Sequence, residues 1–310
     1  MNRGMEKFLK TLLFGTVSFL VLALAVEFYQ AKVVNVYTYK RKYMENNSQD
    51  IKTLLLGNSL MENSINPHLL GDSVFDLAIS GRWIYYDYKL LERYIAGMGN
   101  LRQVVFGMGY AFPFQGSYHF PEADKGWSDM YKYDYEKHMN IRYDRPPYYY
   151  WFGILNGHIN ITSLRDGYEF LDKDPYGYIG YHPIIGQAGM EWKILHNIDP
   201  NVIHNPHADE QIGEYEGYLK EMARLCKQHE VKFIVITPPC HDSYIENVRQ
   251  EGIDILHGMI DEIRVEYPID YVDYLQDEDF RADSLFFDCS HLNSIGADMF
   301  ALRVKKDFGL

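Results

Sequence analysis

Two short segments at opposite ends of the chain hold residue types that make an activated nucleophile when they are brought together. Near the N-terminus, Gly57-Asn58-Ser59-Leu60 follows an apolar run, Ile51 to Leu56, that reads as a strand. A Ser at such a strand-to-helix turn has its backbone N–H at a positive helix end, where the oxyanion of an acyl adduct can be held. Near the C-terminus, Asp288-Cys289-Ser290-His291 precedes a final helix. An Asp three residues before a His can lie one turn away, with its carboxylate reaching Nδ1. The Asp then fixes the tautomer and stabilises the imidazolium while Nε2 takes a proton from Ser. The chemistry of that set is acyl transfer through a covalent serine ester. The plainer alternative is a turn with a helix cap at Gly-Asn-Ser, and a solvated Asp with a capping His at the other end.

The elements that must position these segments alternate along the chain. Strands are expected at 51–56, 74–78, 103–106, 232–237 and 269–272. Helical spacing runs from Trp83 to about Met98, through Ile84, Tyr88, Leu91 and Ile95, and returns from Asp209 through Tyr215, Leu219, Met222, Leu225 and Cys226. Further helices are expected from about Ser243 to Val265 and after Asn293. Such alternation implies crossover connections and a parallel sheet covered on both faces. The regular parts, 51–109 and 209–310, total 161 residues, one ordinary α/β domain. The stretch 110–208, rich in Tyr, Trp, Pro, Gly and His, reads as an insertion into it. In open α/β sheets ligands bind at the carboxyl ends of the strands, which is where Ser59 falls. The order Ser, Asp, His also matches other α/β hydrolytic sheets, although the Gly-x-Ser-x-Gly elbow is absent.

Gly57-Asn58-Ser59 paired with Asp288-x-x-His291 resembles the SGNH/GDSL hydrolase superfamily over those 161 residues. With an apolar N-terminal segment, the chain looks closest to membrane-tethered members such as the D-alanyl-lipoteichoic acid transfer protein and the alginate O-acetylation proteins. The resemblance implies a flavodoxin-like three-layer α/β/α sandwich and Ser-dependent acyl chemistry with no metal or other cofactor. It makes Ser59 the nucleophile, His291 the general base and acid, and Asp288 its orienter. The family's first block usually has Asp where this chain has Asn58. Its third block supplies a Gly-x-Asn where this chain reads Gly107-Met108-Gly109, so an Asn donor is missing. The oxyanion hole would then rest on the backbone N–H groups of Ser59 and Gly81, with Gly109 at the third position. Loss of one side-chain donor puts efficient hydrolysis in doubt more than transfer to a presented acceptor.

Residues 11–26 carry no charge, and with Phe8 and Leu9 the segment approaches the length needed to cross a bilayer. Ala23-Leu24-Ala25 has the form of a signal-peptidase site, but Glu27-Phe28-Tyr29 is not a typical mature start, so an uncleaved anchor over 1–30 is favoured. A linker is expected over 31–50 and the catalytic domain over 51–310. Residues 1–42 hold seven basic and two acidic groups, a net of +5, so the remainder of this −13 chain carries −18. The simplest placement is a single-pass protein of the cell membrane with its acidic body outside. An acidic balance argues against nucleic-acid binding, and three Cys in 310 residues cannot form a disulfide framework.

The partners expected are an envelope glycan or acylated polymer, the membrane itself, and a membrane-embedded acyl donor protein. Hydrolysis and acyl transfer remain open alternatives, as does a non-catalytic glycan-binding or assembly protein that keeps the fold. Among the 27 Tyr, a group around the insertion (Tyr85, Tyr86, Tyr88, Tyr110, Tyr131, Tyr133, Tyr135, Tyr143, Tyr148, Tyr149 and Tyr150, between Trp83 and Trp151) suits either sugar stacking or loop packing. His204 and His207 lack a third ligand at metal-site spacing and read as surface residues. Cys289 reads as a small packing residue. Asp209, Glu210, Glu214, Glu216 and Glu221 read as a solvated helix face.

Overall fold

The computed structural model describes residues 3–30, 35–114, 135, 138–141 and 208–310. In chain order the elements are α1 (Arg3–Gln30), α2 (Val36–Asn47), β1 (Thr53–Gly57), α3 (Ser59–Glu62), β2 (Val74–Asp76), α4 (Ile84–Tyr94) and β3 (Gln103–Gly107). After the insertion come α5 (Ala208–Gln228), β4 (Lys232–Thr237), α6 (Asp242–Ile245), α7 (Gln250–Arg264), β5 (Asp270–Asp273) and α8 (Ser294–Phe308).

The five strands form one parallel sheet in the order β2-β1-β3-β4-β5. This is the flavodoxin-like doubly wound order, in which the chain reverses its direction of travel across the sheet between β1 and β3. The side-chain period of two sends neighbouring residues to opposite faces. Leu54, Leu56, Val104, Phe106, Phe233 and Val235 pack with Leu90, Leu219, Met222, Leu256 and Ile260 of α4, α5 and α7. Leu55, Val105, Ile234 and Ile236 pack on the other side with Ala297, Phe300, Ala301 and Val304 of α8. Both faces are thus covered, giving the three layers expected and explaining why the central strands are apolar throughout.

α1 is a different kind of helix. Over Arg3–Tyr29 its most apolar window has a mean hydropathy of 2.1, and only 6% of that window is buried. By length and composition it can be a single membrane span or a signal sequence.

Two expectations need correction. Residues 36–47, assigned to a linker, form α2, started by Asn35, whose side-chain oxygen accepts the Thr38 N–H at 2.9 Å. α2 buries Tyr37 and Met44 in the core, so the folded body begins before residue 51. The single helix expected over 243–265 is two, α6 and α7. Asn247 turns its amide back to the Ser243 carbonyl (2.8 Å) and Arg249 is extended, which ends the first helix before the second begins.

Candidate active site

Gly57 closes β1 at φ +136°, and a Cβ there would stand 2.8 Å from the Gly107 carbonyl oxygen, so only glycine fits between β1 and β3. Its N–H donates to Asp87 Oδ1 at 3.0 Å. Asn58 is extended and caps α3, its Oδ1 accepting the Leu60 N–H at 3.0 Å. An Asn oxygen does this as an Asp oxygen would, so this position tolerates the departure from the family pattern. Ser59 is then the first residue of α3, at the carboxyl end of β1 and beside the reversal point of the sheet.

His291 arrives from the opposite end of the chain on a self-braced loop. Phe286 and Leu292 form an antiparallel bridge, and Phe287 N–H donates to the His291 carbonyl at 2.8 Å. Buried Asn293 locks the exit. Its Oδ1 caps α8 through the Ile295 and Gly296 N–H groups, and its amide donates to the Ser284 and Phe286 carbonyls. Inside this loop Asp288 Oδ1 accepts the N–H groups of Ser290 and His291, each at 2.8 Å. His291 Nδ1 lies 2.9 Å from both Asp288 oxygens.

Burial works to raise the Asp288 carboxyl, but the bond to His291 and the two backbone N–H groups outweigh it and hold the acid below its ordinary value. An ionised Asp288 only accepts, so the proton on the ring sits on Nδ1 and leaves the Nε2 lone pair open. Nε2 is 2.9 Å from Ser59 Oγ, which donates to it. The three residues named from the sequence are therefore joined in one hydrogen-bonded chain, Ser59 to His291 to Asp288.

The three backbone groups named for the oxyanion are also near this turn. Among the described residues no acceptor is bonded to the N–H of Ser59, Gly81 or Gly109. Gly81 is at φ +73°, and a Cβ on Gly109 would stand 2.5 Å from Leu60 Cδ1, which presses that strand end against α3. No side-chain amide stands at 109, as the sequence indicated.

Neither a protein-family model nor a curated protein matches this sequence. Solved structures do. A protein from Streptococcus pneumonia, provisionally described as a platelet activating factor, matches at 10% identity with a TM-score of 0.46, over 94% of this chain and 97% of that one. A protein of Bacteroides fragilis NCTC 9343, provisionally described as an acylhydrolase, matches at 12% identity and 0.42, over 86% and 94%. A GDSL-like lipase of Bacteroides thetaiotaomicron VPI-5482 matches at 14% identity and 0.42, over 88% and 98%. Likeness at that level leaves the chemistry to be argued from this chain's own residues.

Other sequence candidates resolve in part. Tyr85, Tyr86, Tyr110 and Tyr135 are buried, Tyr86 and Tyr135 stacked at 3.8 Å, so these rings pack the core rather than offer a face to a sugar. Tyr110 gives its hydroxyl to Asp273, beside His257. Cys289 is fully buried, as a packing residue should be. On α5, Asp209 and Glu210 are exposed and Glu214, Glu216 and Glu221 half-buried. Tyr131, Tyr133, Tyr143, Tyr148, Tyr149, Tyr150, Trp151, His204 and His207 lie outside the described residues.

Sequence reasoning missed the charges under the turn. Lys40, counted in the basic flank of the apolar segment, is fully buried, with Glu62 and Asp76 as its ionic partners. Arg82 is buried too, 2.9 Å from Asp87 and 2.7 Å from the Tyr135 hydroxyl. The available signal was Glu62, an acid three residues after Ser59 and directly behind the apolar pair Leu60-Met61.

Proposed function

We propose that this protein is a membrane-anchored, extracytoplasmic serine esterase or O-acyltransferase of the SGNH type, acting on acyl esters of a cell-envelope glycan or polymer. The observation that supports this reading most is the continuous hydrogen-bonded chain Ser59–His291–Asp288 at the carboxyl end of β1.

Ser59 Oγ attacks the acyl carbonyl while its proton passes to His291 Nε2, and Asp288 stabilises the imidazolium so formed. The carbonyl electron pair moves onto oxygen, where the N–H groups of Ser59 and Gly81 receive it, with Gly109 N–H beside them. Collapse of this adduct breaks the bond to the leaving alcohol, which takes the proton from Nε2 and leaves a serine ester. Water or a sugar hydroxyl then gives its proton to Nε2 and attacks that ester, and collapse of the second adduct breaks the acyl–Oγ bond as Ser59 takes the proton back from Nε2. Hydrolysis and transfer share every residue and differ only in this second nucleophile. α1 would tether the body to the membrane, where a membrane-embedded acyl donor protein could load Ser59.

Labelling with a fluorophosphonate tests the nucleophile. The full chain in detergent should label strongly and the Ser59→Ala variant should not; equal labelling sinks the reading. The rival, an envelope glycan-binding or assembly protein, draws its support from the glycine at 109 and gains if neither protein labels. Turnover of an acetyl ester reporter that rises on adding glycan assigns transfer, and turnover indifferent to glycan assigns hydrolysis.

A further inference from the structure

Glu62 stands three residues after Ser59 on the single turn of α3, so the helix that presents the hydroxyl also carries a carboxylate. That carboxylate is buried. Its Oε2 accepts the Ser80 N–H at 2.8 Å and a second, short bond from the Ser80 hydroxyl. Its Oε1 faces the Lys40 ammonium at 3.8 Å. Lys40 Nζ also lies 3.6 Å from Asp76 Oδ2 and donates to the Ala78 carbonyl. One ammonium from α2 therefore ties together the end of β2, the loop leading to Gly81 and the Ser59 helix.

Such a cluster is a poor source of stability, because apolar side chains of similar volume commonly stabilise as much. What it supplies is geometry. Gly81 sits at φ +73° with no bonded acceptor among the described residues, and a glycine is free to swing its peptide unless a neighbour pins it. The Arg82 N–H closes the turn on the Ile79 carbonyl at 3.2 Å, and inside it Ser80 is gripped at both its N–H and its hydroxyl. Burial pushes the Asp76 carboxyl up to about 7, against the opposing pull of Lys40.

We propose that Glu62, braced by Lys40, is a positioning residue for acyl transfer: it clamps Ser80 so that the Gly81 N–H is aimed at the developing oxyanion. The proposal rests on the reading of Ser59 as the acylated nucleophile, and it draws α2, the helix that follows the apolar segment, into the site.

The test uses the full chain in detergent micelles, with kinetics on an acetyl ester reporter and hydrogen exchange read by peptide. Glu62→Ala removes the acceptor. The double variant Lys40→Met with Glu62→Gln removes both charges and keeps an amide oxygen for Ser80. Glu62→Ala should lower kcat by about 10- to 100-fold with KM within about twofold, less than the roughly 10²–10³ lost when an oxyanion donor is removed outright, because the Gly81 N–H is misaimed and not deleted. The midpoint of its pH–rate profile should not move. The double variant should return to within about fivefold of wild type, as rescue by a neutral acceptor requires.

Exchange over residues 79–82 should quicken in Glu62→Ala alone, with 286–293 unchanged. A folded Glu62→Ala protein with wild-type kcat, or unchanged exchange over 79–82, overturns the clamp. So does a double variant as impaired as Glu62→Ala. If Glu62→Ala fails to fold, Ser80→Ala carries the same two readouts, and no change in either overturns it. Wild-type turnover no higher than that of Ser59→Ala would sink the nucleophile instead, and the exchange data would still judge the clamp.

Discussion

The two shoulders of Ser59 are built in opposite ways. On one side, Asp288, Ser290 and His291 make a hydrogen-bonded unit within four consecutive residues, braced by its own backbone and by Asn293. On the other, Lys40, Glu62, Asp76, Ala78 and Ser80 meet from α2, α3, β2 and a loop, with Arg82, Asp87 and Gly57 forming a second buried set beside them. The first is a local motif that the fold has only to deliver to Ser59. The second exists only once the sheet has formed, because its members come from separate elements between residues 40 and 87. Chemistry that needs one proton acceptor in one tautomer can be encoded locally; the aim of a glycine N–H must be fixed from outside.

Breaking the local side should give the largest effect. Asp288→Asn keeps the loop's shape but cannot stabilise the imidazolium, and a neutral amide no longer dictates the tautomer. A kcat loss of about 10³- to 10⁴-fold is expected from this kind of change. Steady-state kinetics with a melting curve check it, and a loss under tenfold in a folded protein would mean that Asp288 does not orient His291.

The non-local side should show itself first in folding. Gly57→Ala puts a methyl group 2.8 Å from the Gly107 carbonyl oxygen at φ +136°. A destabilisation of about 1–3 kcal/mol is expected, together with displacement of Asn58 and Ser59. Thermal unfolding followed by Trp and Tyr fluorescence measures it, and an unchanged transition would show that β1 and β3 can part without cost.

A change of pH sharpens the contrast further. An unfolded Asp releases its proton near about 3.9. Folded Asp76 keeps it to about 7, burial being the main cause. Between those values the folded state binds the extra proton, so this group makes wild-type stability fall as pH rises from about 4 to about 7. Asp76→Asn has no proton to lose, so its stability relative to wild type should climb over the same window. Melting curves of both proteins at several pH values test this, and a difference independent of pH would mean that the cluster does not hold a raised carboxyl.

Much of the fold was legible because its signals are periodic. The apolar strands at 53–57, 103–107 and 232–237 and the helical spacing of 84–94 and 208–228 lie where their patterns put them. The candidate site was legible for a related reason: Asp288 and His291 are close in sequence, and Ser59 directly follows a strand. Illegible were the contacts whose meaning depends on burial. Lys40 among Tyr39, Arg41 and Lys42 looks like a surface charge at the edge of an apolar segment, and nothing in its neighbours says that α2 turns it inward. The tyrosines were ambiguous in the same way, since a buried ring and a sugar-stacking ring have the same formula.

By itself the sequence determined the alternation of strands and helices, the apolar N-terminal helix, and the pairing of a turn serine with an Asp-x-x-His loop. These follow from side-chain periodicity and from groups a few residues apart, which the covalent chain keeps together. Only the tertiary structure placed His291 Nε2 at 2.9 Å from Ser59 Oγ and closed the Lys40–Glu62–Ser80 cluster beneath the same helix. The reason is physical. A parallel sheet orders its strands by crossovers rather than by sequence, so which distant side chains share its carboxyl edge, and which charges are left without water, is set when the layers pack.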